Sequence, residues 1–285
     1  MKTFVRKHFR DEQGVQFSTC GDITTLTRMP SGLKGAYQIP DFVTNIGADA
    51  INGCNELTSL IIPKTVSMIE KNNFELCEQL TSLVVEQGNP IFDSRYNCNA
   101  IIVTATNTLV HGCNSSSIPE GIEVIADSAF SQRRNLSHIS IPDSVVHIGE
   151  FAFLGCYSLE SEIILQGIHQ VARSCFDGCS SLKKVSIGSG IESVESGAFA
   201  SCSMLSDVVI TEGTKYIGTY AFDNCNSLAS IALPKSIERI ESTALDRCNR
   251  IERVFIPKGT TDYFMRFDAL KKYRHCFIEY NPNKM

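Results

Sequence analysis

Six histidines and twelve cysteines in 285 residues are the side chains with the most chemistry to offer. A cysteine nucleophile needs a base beside it in space. The nearest such neighbours along the chain are Cys113 with His111 and Cys276 with His275, and neither pair comes with a recurring acid to orient it. His8, His138, His147 and His169 stand apart. No H-E-x-x-H, no G-x-S-x-G and no glycine-rich phosphate loop occurs. A tetrahedral metal site is disfavoured too, since no C-x-x-C pair exists to supply two thiolates together. The expectation is a chain without catalytic residues, without metal ligands and without a cofactor.

The cysteines instead keep time. Cys54, Cys77, Cys156, Cys179, Cys202, Cys225 and Cys248 fall in one column of a 23-residue period. Like residues in neighbouring strands lie about 4.8 Å apart with parallel side chains, whereas a disulfide requires Cβ atoms about 3.8 Å apart and a dihedral near 90°. The column is therefore expected to be a ladder of buried thiols, small hydrophobes in effect. Cys98 and Cys113 flank a separate hairpin pattern and are the one pair with the spacing to bridge.

The elements that carry these cysteines are copies of one coil. Ile118, Ile141, Ile164, Ile187, Ile210 and Leu233 begin successive copies, and Ile39 and Ile62 begin two earlier ones. The 56 residues from Ile62 to Ile118 are one period plus 33, which places an insertion at 85–117. Eight copies result. Numbered from its first residue, each copy has Ile or Val at position 8, Phe at position 13 in six copies, and Leu at position 19 in seven. Apolar identity held in columns means that each column stacks on itself along a solenoid axis.

Within a copy, Leu136-Ser137-His138-Ile139-Ser140-Ile141 has the L-x-x-L-x-L spacing whose last residues form a strand. Pro142 ends it, since proline cannot donate to the next ladder bond. The remainder, through Val145, Ile148 and Ala152-Phe153, returns along the outer side as a short extended piece and a turn of helix. By Ile141, Pro142, Val145, Ile148, Gly149, Ala152, Phe153, Cys156 and Leu159, this copy resembles the BspA-like leucine-rich-repeat family, and the resemblance covers 39–255. It implies an α/β repeat solenoid: a right-handed coil with a parallel sheet on the concave face, short strands and helical turns outside. It also implies a non-enzymatic, secreted or cell-surface protein that adheres to host, matrix or neighbouring-cell proteins.

Open solenoid ends expose strands and must be covered. Residues 1–38 are expected to form an N-terminal cap with a hairpin at 14–29, built on Val15, Phe17, Ile23 and Leu26. Residues 256–285 form the C-terminal cap, where Thr261 caps a helix carrying Tyr263, Phe267 and Leu270 on one face, followed by a strand at Cys276-Phe277-Ile278. The insertion carries a hairpin of Ile101-Ile102-Val103 and Leu109-Val110 around Thr106-Asn107.

The net charge of −5 comes from 31 acids and 26 bases scattered throughout, with no basic block for nucleic acid. No apolar run approaches the roughly 18 residues of a membrane span. The basic start (Lys2, Arg6, Lys7, Arg10) lacks the apolar stretch of a secretory signal, which leaves a cytosolic chain or one whose leader is missing. An intracellular protein-interaction scaffold is thus the alternative to the surface protein, and a monomer is expected for either. Asn114-Ser115-Ser116 and Asn135-Leu136-Ser137 match the glycosylation triplet, of consequence only in a secretory route.

Strand alternation then predicts the binding face. With positions 22 and 1 inward, positions 21 and 23 point out on the concave side. The partner-binding residues expected there are Ile61, Val84, His138, Ser140, Ile163, Lys184, Asp207, Val209, Arg253 and Phe255. Two residues break the pattern. Arg133 replaces the column cysteine within Gln132-Arg133-Arg134, and Glu162 falls at an inward position. An exposed functional patch is one reading of the pair. A lone inward carboxylate is costly, so a local strand slip that turns Ile163 in and Glu162 out is the other reading for Glu162.

Overall fold

The computed structural model describes residues 5–71 and 73–281, in two compact units, Met1–Pro119 and Glu120–Met285. Lys2 of the basic start and the last four residues of the C-terminal cap lie outside the described residues.

In the first unit, strands Lys7–Arg10, Gln16–Cys20 and Ile23–Arg28 form an antiparallel meander. Its last strand continues in parallel into Asn45–Ile46 and then Met68–Ile69. A second sheet stacks Gly35–Gln38, Leu57–Ile62 and Ser82–Val85 in parallel. Phe17, Leu26, Ile46, Ile51 and Leu60 are buried in one core. In the insertion, strand Ala100–Val103 pairs antiparallel with Thr108–Gly112 and with Phe92–Asp93. Asn107 turns the hairpin in the left-handed region, φ 47°, a conformation that asparagine tolerates. Cys98 and Cys113 are buried and form no disulfide. The bridge is not made, because each thiol donates to a nearby carbonyl instead: Cys113 to Asn99 at 3.3 Å and Cys98 to Ala100 at 3.8 Å.

In the second unit a six-stranded parallel sheet runs from Ile163–Leu165 through Lys184–Ile187, Asp207–Ile210, Ser230–Ala232 and Arg253–Pro257 to Phe277–Tyr280. A narrower return sheet is built from two-residue strands, Gln170–Val171, Ser193–Val194, Tyr216–Ile217 and Arg239–Ile240. Between the sheets Phe130, Phe153, Phe176, Phe199 and Phe222 form a file of parallel rings with successive centroids 5.0, 5.1, 5.3 and 5.4 Å apart. Each buried phenylalanine contributes about 1.5–3 kcal/mol, and each stacked pair adds about 0.5–1.5 kcal/mol beyond its area.

The cysteine column lies beside this file. None of the twelve cysteines forms a disulfide. The thiol of Cys179 donates to the Phe153 carbonyl at 3.3 Å, Cys202 to Phe176 at 3.2 Å and Cys225 to Phe199 at 3.2 Å. Each cysteine thus satisfies a backbone acceptor of the coil before it. Burial pushes the Cys156 thiol up to about 12, so it stays protonated. Where position 5 holds a polar residue, Thr214, its hydroxyl meets the Ile191 carbonyl at 2.8 Å. Arg133, at a cysteine position, is 3% exposed, so it does not belong to an exposed basic patch.

The helical turn expected on the outer side does not form. Positions 11 and 15 of these coils are left-handed, with φ 48° at Ser174 and 58° at Tyr220 for the first, and 76° at Gly178 and 56° at Arg247 for the second. A right-handed helix cannot pass through a residue with positive φ. The fold is therefore a β-solenoid, and the α/β description is corrected accordingly. Among the described residues, α-helix is confined to Thr261–Met265 and Asp268–Lys271 near the C-terminal end. These two short helices stand where one was expected. The residue preceding the first is Thr260, whose hydroxyl is taken by the Pro257 carbonyl, while Thr261 reaches Glu279.

One coil departs from the period. Ile163 pairs with Val185 and Leu165 with Ile187, so one extra residue lies between Leu159 and the strand and one fewer between Leu165 and Ile168. The slip buries Ile163 to 1% exposure, leaves Ile164 54% exposed and carries Glu162 outward. The carboxylate's desolvation cost is avoided by shifting the strand. The slip also breaks the ladder. From 139–150 to 162–172 no backbone hydrogen bond joins one coil to the next. The flanking bonds are Glu160 N–H to Ser137 and Phe151 N–H to Arg173. The side-chain file runs on regardless: Phe153 stacks on Phe130 and Phe176 on Phe153 across the same coils.

Two outcomes check this architecture. In native protein Cys20, half-buried where the other eleven cysteines are buried, should react fastest with a thiol reagent, and all twelve should react after denaturation. Ile163→Asp should cost more than about 4 kcal/mol in urea denaturation by burying a charge. Ile164→Asp should shift stability by no more than about 0.5 kcal/mol.

Candidate functional site: the outward face of the parallel sheets

The face builds itself from strand alternation. In the six-stranded sheet Val185, Val208, Ile231 and Val254 point into the core, so their neighbours point out. Register places Ile164, Ser186, Val209, Ala232, Phe255 and Ile278 opposite one another, one per strand. This is a single row across six coils, apolar in every member but Ser186. Ile164, Val209 at 42% and Ile278 are the most exposed, and Phe255 is half-buried.

Beside it runs a row of opposite charges and hydroxyls: Lys184, Asp207, Ser230 and Arg253 in register. Glu162 reaches Lys184 at 2.8 Å, and Ser230 donates to Asp207 at 3.1 Å. The Glu162 carboxylate, by hydrogen bond and charge, raises the pKa of the Lys184 ammonium. Exposed pairs of this kind add little to stability. Their consequence is a polar border that fixes the charge pattern a partner must match.

Most of the residues expected on the face are there. Lys184, Asp207, Val209 and Arg253 are exposed and Phe255 half-buried on one sheet, and Ile61 and Val84 are half-buried and in register on the three-stranded sheet of the first unit. His138 and Ser140 are exposed but lie on a segment that forms no strand. Ile163 is a correction, since the slip turns it into the core. The period alone assigned Ile164 inward; Glu162 at an inward position was the signal that it turns out. Ile278 escaped notice because its strand lies beyond the last copy.

A recess of about 440 Å³ opens at the slipped end of the row, between Ile139, Ile141, Ile163, Ile164, Asp143 and Glu162. A wider groove of about 950 Å³ crosses the outer turns, lined by Asp177, Ser201, Tyr220, Asp223 and Arg247 among others. There Asp223 is buried and held by the Arg247 guanidinium, and burial together with the Asp223 charge raises the pKa of Asp177. Neither hollow is lined by a histidine or a thiol. Cys113 is buried against Asn99, and among the described residues no group of three or more His, Cys, Asp or Glu could hold a metal. Likewise no helix is long and apolar enough to cross a membrane. Of the two glycosylation triplets, Asn114 spends its amide on the Glu78 carbonyl, and Asn135 is exposed.

Comparison with known proteins agrees with this geometry. No curated protein is significantly similar in sequence. Among solved structures, a leucine-rich repeat protein from Eubacterium ventriosum matches with a TM-score of 0.55 at 19% identity, over 85% of this chain and 95% of that one. A leucine rich cell surface protein from Faecalibacterium prausnitzii matches with 0.54 at 18%, over 92% and 98%. The pneumococcal vaccine antigen PcpA matches with 0.54 at 14%, over 87% and 66%. At these identities the likeness concerns the fold. The profile described as BspA type leucine rich repeat region matches residues 31–109, 110–214 and 192–268, in six copies. The chain therefore belongs to the BspA-type leucine-rich-repeat family.

Proposed function

We propose that this chain is a non-enzymatic protein-binding module, displayed on the cell surface or secreted, that recognises host, matrix or neighbouring-cell proteins through the outward face of its parallel sheets. The observation that carries the reading is the in-register row Ile164–Val209–Phe255–Ile278 with its charged border. A contiguous apolar strip rimmed by polar groups marks an interaction face, and a solenoid offers such a strip without any backbone rearrangement. Lys184, Asp207 and Arg253 border it, His138 and Ser140 lie on the adjoining coil, and within the first unit Ile61 and Val84 form an outward pair of their own that belongs to the same proposal. The surface location draws support from the cell surface protein of the same fold. An intracellular scaffold is the second reading, favoured by one observation: none of the twelve cysteines forms a disulfide, as in a reducing compartment.

The test is binding to an immobilised panel of matrix and epithelial surface proteins, comparing the native chain with Val209→Asp and Phe255→Asp. Residues at the centre of an interface lose 2 kcal/mol or more on truncation, so affinity for the recognised protein should fall about 30-fold or more while the melting temperature holds. Unchanged binding would remove the face from consideration.

A further inference from the structure

Arg6, Lys7, His8 and Arg10 put three fixed positive charges and a histidine into five residues of a chain whose net charge is −5. The last three lie on the outermost strand of the first unit's five-stranded sheet, Lys7–Arg10, which pairs antiparallel with Gln16–Cys20 on one side. All four residues of this strand are exposed, and among the described residues no strand lies on its other side. Hydrogen bonding decides which main-chain groups that side presents. The Asp11 N–H bonds the Val15 carbonyl, and along an antiparallel ladder bonded and non-bonded pairs alternate. In the register Arg10–Gln16, Phe9–Phe17, His8–Ser18 and Lys7–Thr19, the pairs at Phe9 and Lys7 therefore exchange bonds and those at His8 and Arg10 do not. His8 and Arg10 direct both N–H and C=O outward, two residues apart, as an added strand requires. The flank of this edge is apolar: Phe9 stacks on the buried Phe17 with centroids 5.3 Å apart and lies 5.8 Å from Phe42, yet Phe9 stays 40% and Phe42 50% exposed.

We infer that this edge docks an extended acidic segment of a partner protein, which adds an antiparallel strand beside Lys7–Arg10, sets carboxylates opposite His8 and Arg10 and lays an apolar side chain against Phe9 and Phe42. Edge pairing of this kind takes its affinity from the main chain and its specificity from alternate side chains. Directly opposed residues share a face of the sheet, so the residues opposite His8 and Arg10 fall on one face and the residue opposite Phe9 on the other. Charge selects the occupant. Basic side chains guard an edge against like strands: antiparallel self-pairing through these groups would set Arg10 of one copy against Arg6, His8 or Arg10 of the other, and like charges directly opposite destabilise a pair. An acidic strand meets the same side chains with opposite charge, which also steers its approach. The open main-chain groups favour a polypeptide, since an anionic polysaccharide or lipid surface has no strand to pair with them. The edge belongs to the first unit and shares no residue with the row Ile164–Val209–Phe255–Ile278, so the inference stands apart from the outward-face reading.

The probe is an N-acetylated, C-amidated Thr-Glu-Ile-Glu-Glu peptide. Its controls are the lysine counterpart Thr-Lys-Ile-Lys-Lys and a form of the acidic peptide N-methylated at the fourth residue, the one that would face His8. In the free protein the amides of His8 and Arg10 should exchange with deuterium quickly and those of Lys7 and Phe9 slowly. The acidic peptide should slow exchange at His8 and Arg10 and move the ring signals of Phe9 and Phe42. The N-methylated form, short of one donor, should bind about tenfold more weakly, and the lysine form should not bind. His8→Pro removes an N–H that the fold does not use, a change an edge strand tolerates, so it should keep the native circular dichroism and lose the peptide. Lys7→Glu combined with Arg10→Glu should exchange the preference for that of the lysine peptide. The inference is overturned by His8 and Arg10 amides that stay unprotected with the acidic peptide, by equal binding of the acidic and lysine forms, or by protection that grows with protein concentration, as a second copy would produce. An equal response to a sulfated polysaccharide or to anionic vesicles overturns it too. Val209→Asp and Phe255→Asp should leave the peptide's effect intact, so this inference and the broader face can fail separately.

Discussion

The structure depends on a single constraint: a side chain in one coil must lie over the same side chain in the next. Rings of Phe130, Phe153, Phe176, Phe199 and Phe222 meet that condition at about 5 Å and nearly parallel. The neighbouring column of cysteines meets it differently. A thiol is small enough to stand beside the ring file and still reach back to the carbonyl of the preceding phenylalanine, a bond for which no apolar residue has a donor. Burial keeps these thiols neutral, so the column acts as packing and weak hydrogen bonding together.

That constraint propagates to the turns. To return each phenylalanine to the same place after 23 residues, the outer segment reverses twice through left-handed residues, and at Tyr220 and Arg247 it does so without glycine. A left-handed residue of this kind costs roughly 1–2 kcal/mol, which burial of the file offsets. Narrow coils follow, with a short return strand in place of a helix. The slip at Ile163 shows which of the two ladders is indispensable. The backbone ladder opens across one seam, yet the ring file and the buried Val145, Ile148, Leu165, Ile168 and Val171 carry on through it.

The face belongs to the same logic. Columns facing inward must be apolar and uniform, whereas those facing outward are released from packing and vary freely: Ile164, Ser186, Val209, Ala232, Phe255. Variation confined to one surface of a repetitive scaffold is how a solenoid acquires specificity without altering its core. Beside the row Lys184 is paired with Glu162 and Asp207 takes the Ser230 hydroxyl, so the apolar row is the part of the face left to gain from being covered.

Much of this was legible before any coordinates. Period, columns, strand position, hairpin turn at Asn107 and a cysteine column without disulfides all follow from residue type at fixed spacing, because stacking forces a repeating environment onto a repeating sequence. Glu162 even announced the slip, through the cost of an inward carboxylate. Other features had no local signal. Backbone φ at Ser174 or Arg247, the division of the terminal helix into two and the burial of Arg133 depend on what surrounds them in space. Most telling is Ile164. Its side chain is like every other isoleucine in its column, and only the register of the neighbouring strand decides that it faces outward, since strand pairing is a relation between segments and is written in neither one alone.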